Sequence, residues 1–220
     1  MALVLDAPVT TLLWVRHGEA DSNRDGRFGG HSPVPLTDRG VRQAQATARA
    51  LVHLNPTAIV SSDVVRARQT AEPIADACRL DLTLEPGLRE RSLGILDGLS
   101  FVEAEQQHPE IFAKLRKRAP DAIPEGGETN DAVYARVSDT LERLVEQHPG
   151  GRVVVVSHGL ALYHAFCHVC GLGVPTESHH VFVLVDNCSL SRIEHRFSSE
   201  HKVRWRIVSL NDTGHLAGVE

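Results

Sequence analysis

A three-layer α/β sandwich with a mostly parallel central sheet flanked by helices is the fold class this sequence predicts, and three observations predict it. Short apolar runs alternate with stretches of helical periodicity along most of the chain, the order expected of an α/β domain. One of those runs, Val153 to Val156, is four valines in succession, the pattern of a strand covered on both faces. Three of the runs end directly in polar and charged residues, at the sheet edge where open α/β proteins bind ligands.

The elements come in this order. Thr11 to Val15 (TLLWV) is too short for a helix and reads as a buried strand. Thr37 can cap a helix in which Val41, Ala44, Ala48, Leu51 and Val52 form one apolar stripe, ended by Asn55-Pro56. Ala58 to Val60 is a second strand, and Val64 to Cys78 a second helix with a kink or boundary at Pro73. Leu82 to Leu84 is a third strand. The Ser-x-x-Glu box at Ser100 to Glu103 starts a short helix, and the Pro-, Gly- and charge-rich stretch from Pro109 to Gly127 reads as a mobile excursion. Thr129 caps a long helix carrying Val133, Val137, Leu141, Leu144 and Val145 on one face, closed by Gly150-Gly151. After the valine strand, Gly159 to Cys170 is helical, and Val181 to Asp186, Ser189 to His195 and Val203 to Leu210 are final strands. Neither repeat nor interdomain linker interrupts this order, so residues 1–220 are expected to form a single domain with a lid-like excursion at about 99–127.

Composition narrows the function. The chain has 220 residues, 42% hydrophobic and 23% charged, enough for one core. A formal net charge of -5 lacks the basic surplus of a nucleic-acid binder. Met1 to Thr10 holds no Lys or Arg and is broken by Asp6 and Pro8, unlike a secretory signal, and no run approaches a bilayer span. Four cysteines in a chain this long do not make a disulfide framework, so a cytoplasmic setting is expected.

The chemistry sits after the strands. TLLWV leads into Arg16-His17-Gly18-Glu19, AIV into Ser61-Ser62-Asp63 and, one helical turn on, Arg66; the valine strand leads into Ser157-His158-Gly159. Two imidazoles and two guanidiniums at one sheet edge suit a dianionic tetrahedral group, because arginine offers forked donors that match phosphate oxygens. Gly18 and Gly159 after the histidines let the backbone approach a ligand. Nearby arginine charge favours a neutral imidazole, and a neutral imidazole can attack phosphorus while the other stabilises the transferring phosphoryl group. An acid for the leaving alkoxide and a base for water complete the requirement.

These residues resemble the histidine phosphatase, or phosphoglycerate mutase-like, superfamily. LWVRHGEADSN (Leu13 to Asn23) matches its signature; Pro35-Leu36-Thr37 to Gly40, SSDVVRARQTA (Ser61 to Ala71), Leu88-Arg89-Glu90 with Gly94 and Asp97-Gly98, Gly126-Gly127-Glu128 and VSHG (Val156 to Gly159) come after it in order. The resemblance implies His17 as the nucleophile that becomes phosphohistidine, Arg16, Arg66 and His158 as phosphate holders, Glu90 as general acid and base, and Asn23 as an orienting residue. It implies the same sheet-and-helix fold. Pro33 stands where many members carry Asp, and Asp97 where many carry Glu, which bears on the outer pocket. There, Phe28 and His31 lie in the loop after the nucleophile, and Leu160 stands after the second His-Gly where mutase members carry Asn.

The expectation is therefore a phosphomonoesterase of the histidine acid type that takes a small phosphorylated metabolite, needs no metal or cofactor, binds neither nucleic acid nor membrane, and is a monomer or homodimer. The competing readings are a phosphoglycerate mutase, favoured by the basic run Lys114 to Arg118 if it closes over substrate, and a phosphate-binding module without catalysis. That run otherwise reads as a solvated face. His164, Cys167, His168 and Cys170 raise the question of a zinc site, against which stands their place on a core helix. His179, His180, His195, His201 and His215 read as solvated or packing residues.

Overall fold

The computed structural model describes residues 8–119, 121–175, 181–196 and 204–219. Its centre is a six-stranded sheet in the order β3-β2-β4-β1-β5-β6. Strands β1 (Val9–Arg16), β2 (Ala58–Ser61), β3 (Leu82–Leu84) and β4 (Arg152–Ser157) run parallel, while β5 (Leu190–Arg196) and β6 (Trp205–Asp212) add an antiparallel pair beside β1. The expected class holds: a mostly parallel sheet between two helical layers.

The strand pleat explains the two layers. Successive side chains point to opposite faces, so Leu12, Trp14, Val153 and Val155 pack against helices α6 (Asn130–Gln147) and α7 (Gly159–Val169). Their neighbours Leu13, Val15, Val154 and Val156 pack on the other face against α2 (Asp38–Val52) and α3 (Val65–Cys78). All four valines are fully buried, as the run predicts. Thr37 Oγ1 accepts from Gly40 N at 3.0 Å and Thr129 Oγ1 from Ala132 N at 3.0 Å, so both expected caps form. Helix α3 runs on through Pro73 and closes only at Arg79 in the left-handed region; the buried Ala71, Ile74 and Ala75 tie this stretch to the core.

Two expectations are corrected. Pro109 to Gly127 is not wholly irregular, because it contains α5 (Pro109–Arg116) directly after α4 (Phe101–Gln107). Proline at the first helical position, Glu110 in the first turn and Lys114 and Arg116 in the last complement a helix from its ends inward. With Leu93, Leu96, Ala104 and Phe112 these helices bury a third, smaller apolar cluster, against which Phe28 packs. The second correction concerns Val181 to Asp186, which forms no strand. The place beside β1 is taken by β5, and the segment's polar backbone is engaged elsewhere: Val181 O accepts from Tyr163 Oη, Val185 O from Arg16 Nη1, and Asp186 N donates to Asn211 Oδ1. The expected last strand begins at Trp205; Val203, His179, His180 and His201 lie outside the described residues. Among the described residues, no helix is long and apolar enough to cross a membrane.

Candidate active site

Parallel strands β1, β2 and β4 deliver Arg16, His17, Ser62 and His158 to one edge, and the first turn of α3 adds Arg66. Arg66 and both imidazoles are buried, at 2%, 3% and 0% exposure. The two rings lie 5.1 Å apart between centroids.

The hydrogen bonds fix which ring nitrogen of His17 carries the proton and which the lone pair. His17 Nδ1 lies 2.7 Å from the carbonyl of Gly18. A carbonyl only accepts, so the proton sits on Nδ1 and the lone pair on Nε2. That lone pair accepts from Arg66 Nε at 3.1 Å. Burial first, then the charges of Arg66 and Arg16, hold the His17 pKa well below its ordinary value, so the ring is neutral at pH 7. His158 is held low by burial and by Arg66. Its Nε2 meets Ser62 Oγ at 2.9 Å, while Ser62 Oγ accepts from Val64 N at 3.3 Å. With the hydroxyl proton serving Nε2, His158 Nδ1 carries the ring proton and is a donor. That Nδ1 is buried and has no partner among the described residues.

Arg16 and Arg66 are clamped rather than loose. Arg16 Nη1 donates to Val185 O at 2.5 Å, and its buried Nε has no partner among the described residues. Arg66 Nη2 donates to Gly30 O at 2.9 Å, and burial lowers its pKa to about 10, still charged at neutral pH. The loop carrying Gly30 is fastened by Asp97, whose Oδ2 accepts from His31 N at 3.2 Å and whose Oδ1 accepts from Leu93 N at 2.9 Å. Asp97 is thus a structural tie at the position where the sequence departs from the family pattern.

Glu90 stands at the mouth. Its Oε1 accepts from Arg91 N at 2.9 Å and its Oε2 from Leu160 N at 3.2 Å. Its backbone carbonyl is held by His31 Nε2 at 2.8 Å and by Arg136 Nη2 at 2.9 Å, and Arg136 in turn pairs with Glu128 at 2.9 Å.

The two glycines differ. A Cβ on Gly159 would meet only Arg16 Nε, at 3.8 Å, so this glycine leaves room beside a donor without a partner among the described residues. A Cβ on Gly18 would lie 2.7 Å from Gly40 O. Gly18 therefore packs closely on α2. Asn23 is exposed on α1 (Asp21–Arg24), with Oδ1 accepting from Ala20 N at 3.0 Å and from Asn187 Nδ2 at 3.3 Å. Asn187 Nδ2 also donates to His17 O at 3.0 Å, so Asn187 links Asn23 to His17. Ser62, Asn187, Arg136 and the carbonyls of Gly30 and Val185 escaped sequence reasoning. Only Ser62 carried a signal, its place at a strand end.

Next to this edge a cavity of about 530 Å³ opens, bordered by Phe28, Arg91, Leu160, Tyr163, His164 and Arg118. His17 and Arg66 do not line it; Leu160 and Phe28 connect the two spaces. The basic run divides: Lys114 pairs with Asp121 at 2.5 Å, Arg116 turns to a separate groove beside Phe101, and exposed Lys117 and Arg118 reach the cavity rim. The cluster considered for zinc does not converge. Among the described residues no three His, Cys, Asp or Glu side chains form a metal-ligand group; His168 instead pairs with Glu142 at 2.7 Å, and all four cysteines are free thiols.

The buried neutral histidines carry a consequence for stability. Burial, with Arg136 and Arg91 nearby, lowers the His164 pKa from 6.5 to about 4. Below about pH 6.5 the unfolded chain binds protons that the folded chain refuses, so unfolding free energy should fall with pH from there, down to about 4 for this group. His164 alone accounts for a loss on the order of 3 kcal/mol by pH 4, and His17 and His158 act with the same sign. Urea titrations at a series of pH values check this; a stability flat between pH 6.5 and 5, where few carboxylates titrate, would contradict it.

Comparison with known proteins bears on the family and the fold. A family model described as histidine phosphatase superfamily (branch 1) matches residues 12–213. A Yersinia pestis protein named "Probable phosphoglycerate mutase GpmB" is 36% identical over 205 residues, covering 92% of this chain and 93% of that one. Among solved structures, Bacillus stearothermophilus YhfR superposes with a TM-score of 0.84 at 26% identity, covering 96% and 100% of the two chains. A mycobacterial glucosyl-3-phosphoglycerate phosphatase solved with VO3 gives 0.80 at 28% identity, covering 92% and 99%.

Proposed function

Since the chain belongs to the histidine phosphatase superfamily, branch 1, we propose that it hydrolyses a small phosphomonoester in two steps through a phosphohistidine on His17. The observation that carries this reading is the tautomer-fixed, neutral His17, with Nδ1 committed to Gly18 O and Nε2 facing Arg66. When a phosphate enters, Arg66 Nε turns its hydrogen bond to a phosphate oxygen and releases the Nε2 lone pair. Arg16 Nε and His158 Nδ1, both buried donors without partners among the described residues, take up further oxygens. Leaving either unmatched costs about 1–3 kcal/mol, so the dianion completes the site. Nε2 attacks phosphorus, the ester P–O bond breaks, and Glu90 gives its proton to the departing oxygen. Glu90 then removes a proton from water, which attacks the phosphohistidine and releases phosphate.

The wall of the cavity bears on the choice between hydrolysis and transfer between hydroxyls. Arg91, the buried guanidinium there, gives three of its five N–H donors to Glu128 O, Asn130 Oδ1 and Ala122 O. Among the described residues a second anionic group, such as a phosphoglycerate carries, would find there the two remaining N–H donors of Arg91 and the exposed Lys117 and Arg118. The mutase reading draws on the named relatives and on Lys117 and Arg118 at the rim. A phenyl ester labelled in its phosphate separates the two. With a strong chelator present, label is expected on the protein in an acid-labile, base-stable form and then in inorganic phosphate, even when unlabelled 3-phosphoglycerate is added. Label passing chiefly into bisphosphoglycerate would establish the mutase, and no labelled protein intermediate would overturn the histidine mechanism.

A further inference from the structure

We propose that the cavity between α5, α6 and α7 holds the alcohol portion of the substrate and that His164 is its specificity-determining residue, selecting esters whose alcohol has a bulky apolar body bearing one uncharged hydrogen-bonding group. The inference rests on the phosphomonoesterase reading above and deepens it.

The position of the cavity assigns it to the alcohol. Leu160 contributes its N–H to Glu90 Oε2 and its side chain to the cavity wall. A proton donor to the leaving oxygen must lie beside that oxygen, so the group attached to the oxygen continues into the space that Leu160 borders.

The lining defines the chemical class. Phe28, Leu93, Leu115, Tyr163 and Phe182 supply apolar surface, which rewards burial of a ring or branched chain. The cations there do not offset this character. Arg118 is exposed and lies 3.8 Å over the Phe182 ring, Lys117 is exposed, and Arg91 has three of its five donors committed to Glu128 O, Asn130 Oδ1 and Ala122 O. Exposed charges contribute little to binding in water, so a compact, doubly anionic alcohol gains little here.

Within this wall His164 differs from its neighbours. It is 1% exposed, lines the cavity from the second turn of α7, and its Nδ1 is buried without a partner among the described residues. Tyr134 and Tyr163 meet it ring to ring, at 6.4 and 6.0 Å, and leave that nitrogen unserved. A buried polar atom without a partner is uncommon and asks for one, and a hydroxyl or carbonyl carried by the ligand meets that need. The ring is neutral at pH 7, so it discriminates by hydrogen bonding and not by charge. Such a site rejects the analogue that lacks the group.

The experiment uses three substrates: 2-naphthyl phosphate, its 6-hydroxy counterpart, and 3-phosphoglycerate. Wild type is expected to favour both naphthyl esters over 3-phosphoglycerate by about tenfold or more in kcat/KM, and the hydroxylated ester over the plain one by about tenfold. His164→Leu should erase the second preference, with the loss falling on KM more than on kcat, since the lost contact is one of binding. His164→Gln, which retains a polar group, should restore part of it. The proposal is overturned if 3-phosphoglycerate is preferred, if wild type treats the two naphthyl esters alike, or if His164→Leu leaves their ratio unchanged. If the leucine variant does not fold, the wild-type ratios and the glutamine variant decide. Failure of wild type to hydrolyse any aryl ester would strike the phosphatase reading itself, an outcome distinct from a wrong order of preference.

Discussion

Replacing His17 by Ala is expected to lower kcat/KM for any phosphomonoester by at least about 10⁴-fold, equivalent to about 5 kcal/mol of transition-state stabilisation. The size reflects what is lost. Arg16, Arg66 and His158 would still gather the phosphate, so substrate should bind, yet no other described nucleophile replaces Nε2 beside Arg66 Nε. The loss should therefore fall on kcat more than on KM. Labelled ester should leave no phosphate on the variant protein. Added imidazole, which fits the space vacated in a buried pocket, should recover part of the turnover. A variant that retained a base-stable phosphoprotein would mean that another side chain is the acceptor.

Glu90→Gln should separate the two steps. Protonation of the leaving oxygen matters when that oxygen departs as a poor leaving group, so esters of alkyl alcohols should lose about 10²–10⁴-fold in kcat/KM. For p-nitrophenyl phosphate the first step should be nearly normal, because the phenolate departs without help. Attack of water then lacks its base, so a burst of p-nitrophenol should be succeeded by slow turnover, with phosphoprotein accumulating. Glutamine presents one acceptor where the carboxylate gives two, to Arg91 N and Leu160 N, and a melting curve will separate any local loosening from the chemical effect. Equal losses on alkyl and aryl esters would argue that Glu90 positions the mouth of the site without moving a proton.

Much of this architecture was legible in the sequence because the residue after a strand is covalently held at that strand's end. Arg16, His17 and His158 stand at the ends of β1 and β4, where neighbouring parallel strands bring them together without help from distant contacts. The same logic located Arg66 in the first turn of α3. Side-chain-to-backbone contacts were not legible in this way. Nothing in the periodicity of Val181 to Asp186 shows that Arg16 takes one of its carbonyls, and Gly18 next to a histidine gives no hint that Gly40 presses on it. Helix α5 was hidden by charges that read as solvation but also complement the helix ends. Asn23 matched a motif whose register was right, while its amide oxygen is committed to its own turn.

The loop from Phe28 to His31 joins two duties in one short piece of backbone. Gly30 O holds Arg66, and within two residues of it the same loop supplies an aromatic wall to the cavity and a ring nitrogen to the Glu90 carbonyl. Evolutionary change in substrate choice is therefore not equally open on all sides of the pocket. Altering the α5 wall, at Leu115, leaves the contacts of Arg16 and Arg66 where they are. Altering Phe28 pulls on the tether of Arg66, the residue to which the proposed function assigns the phosphate. Divergence of specificity in this lineage should accumulate on the helical side of the pocket, while the loop side drifts slowly.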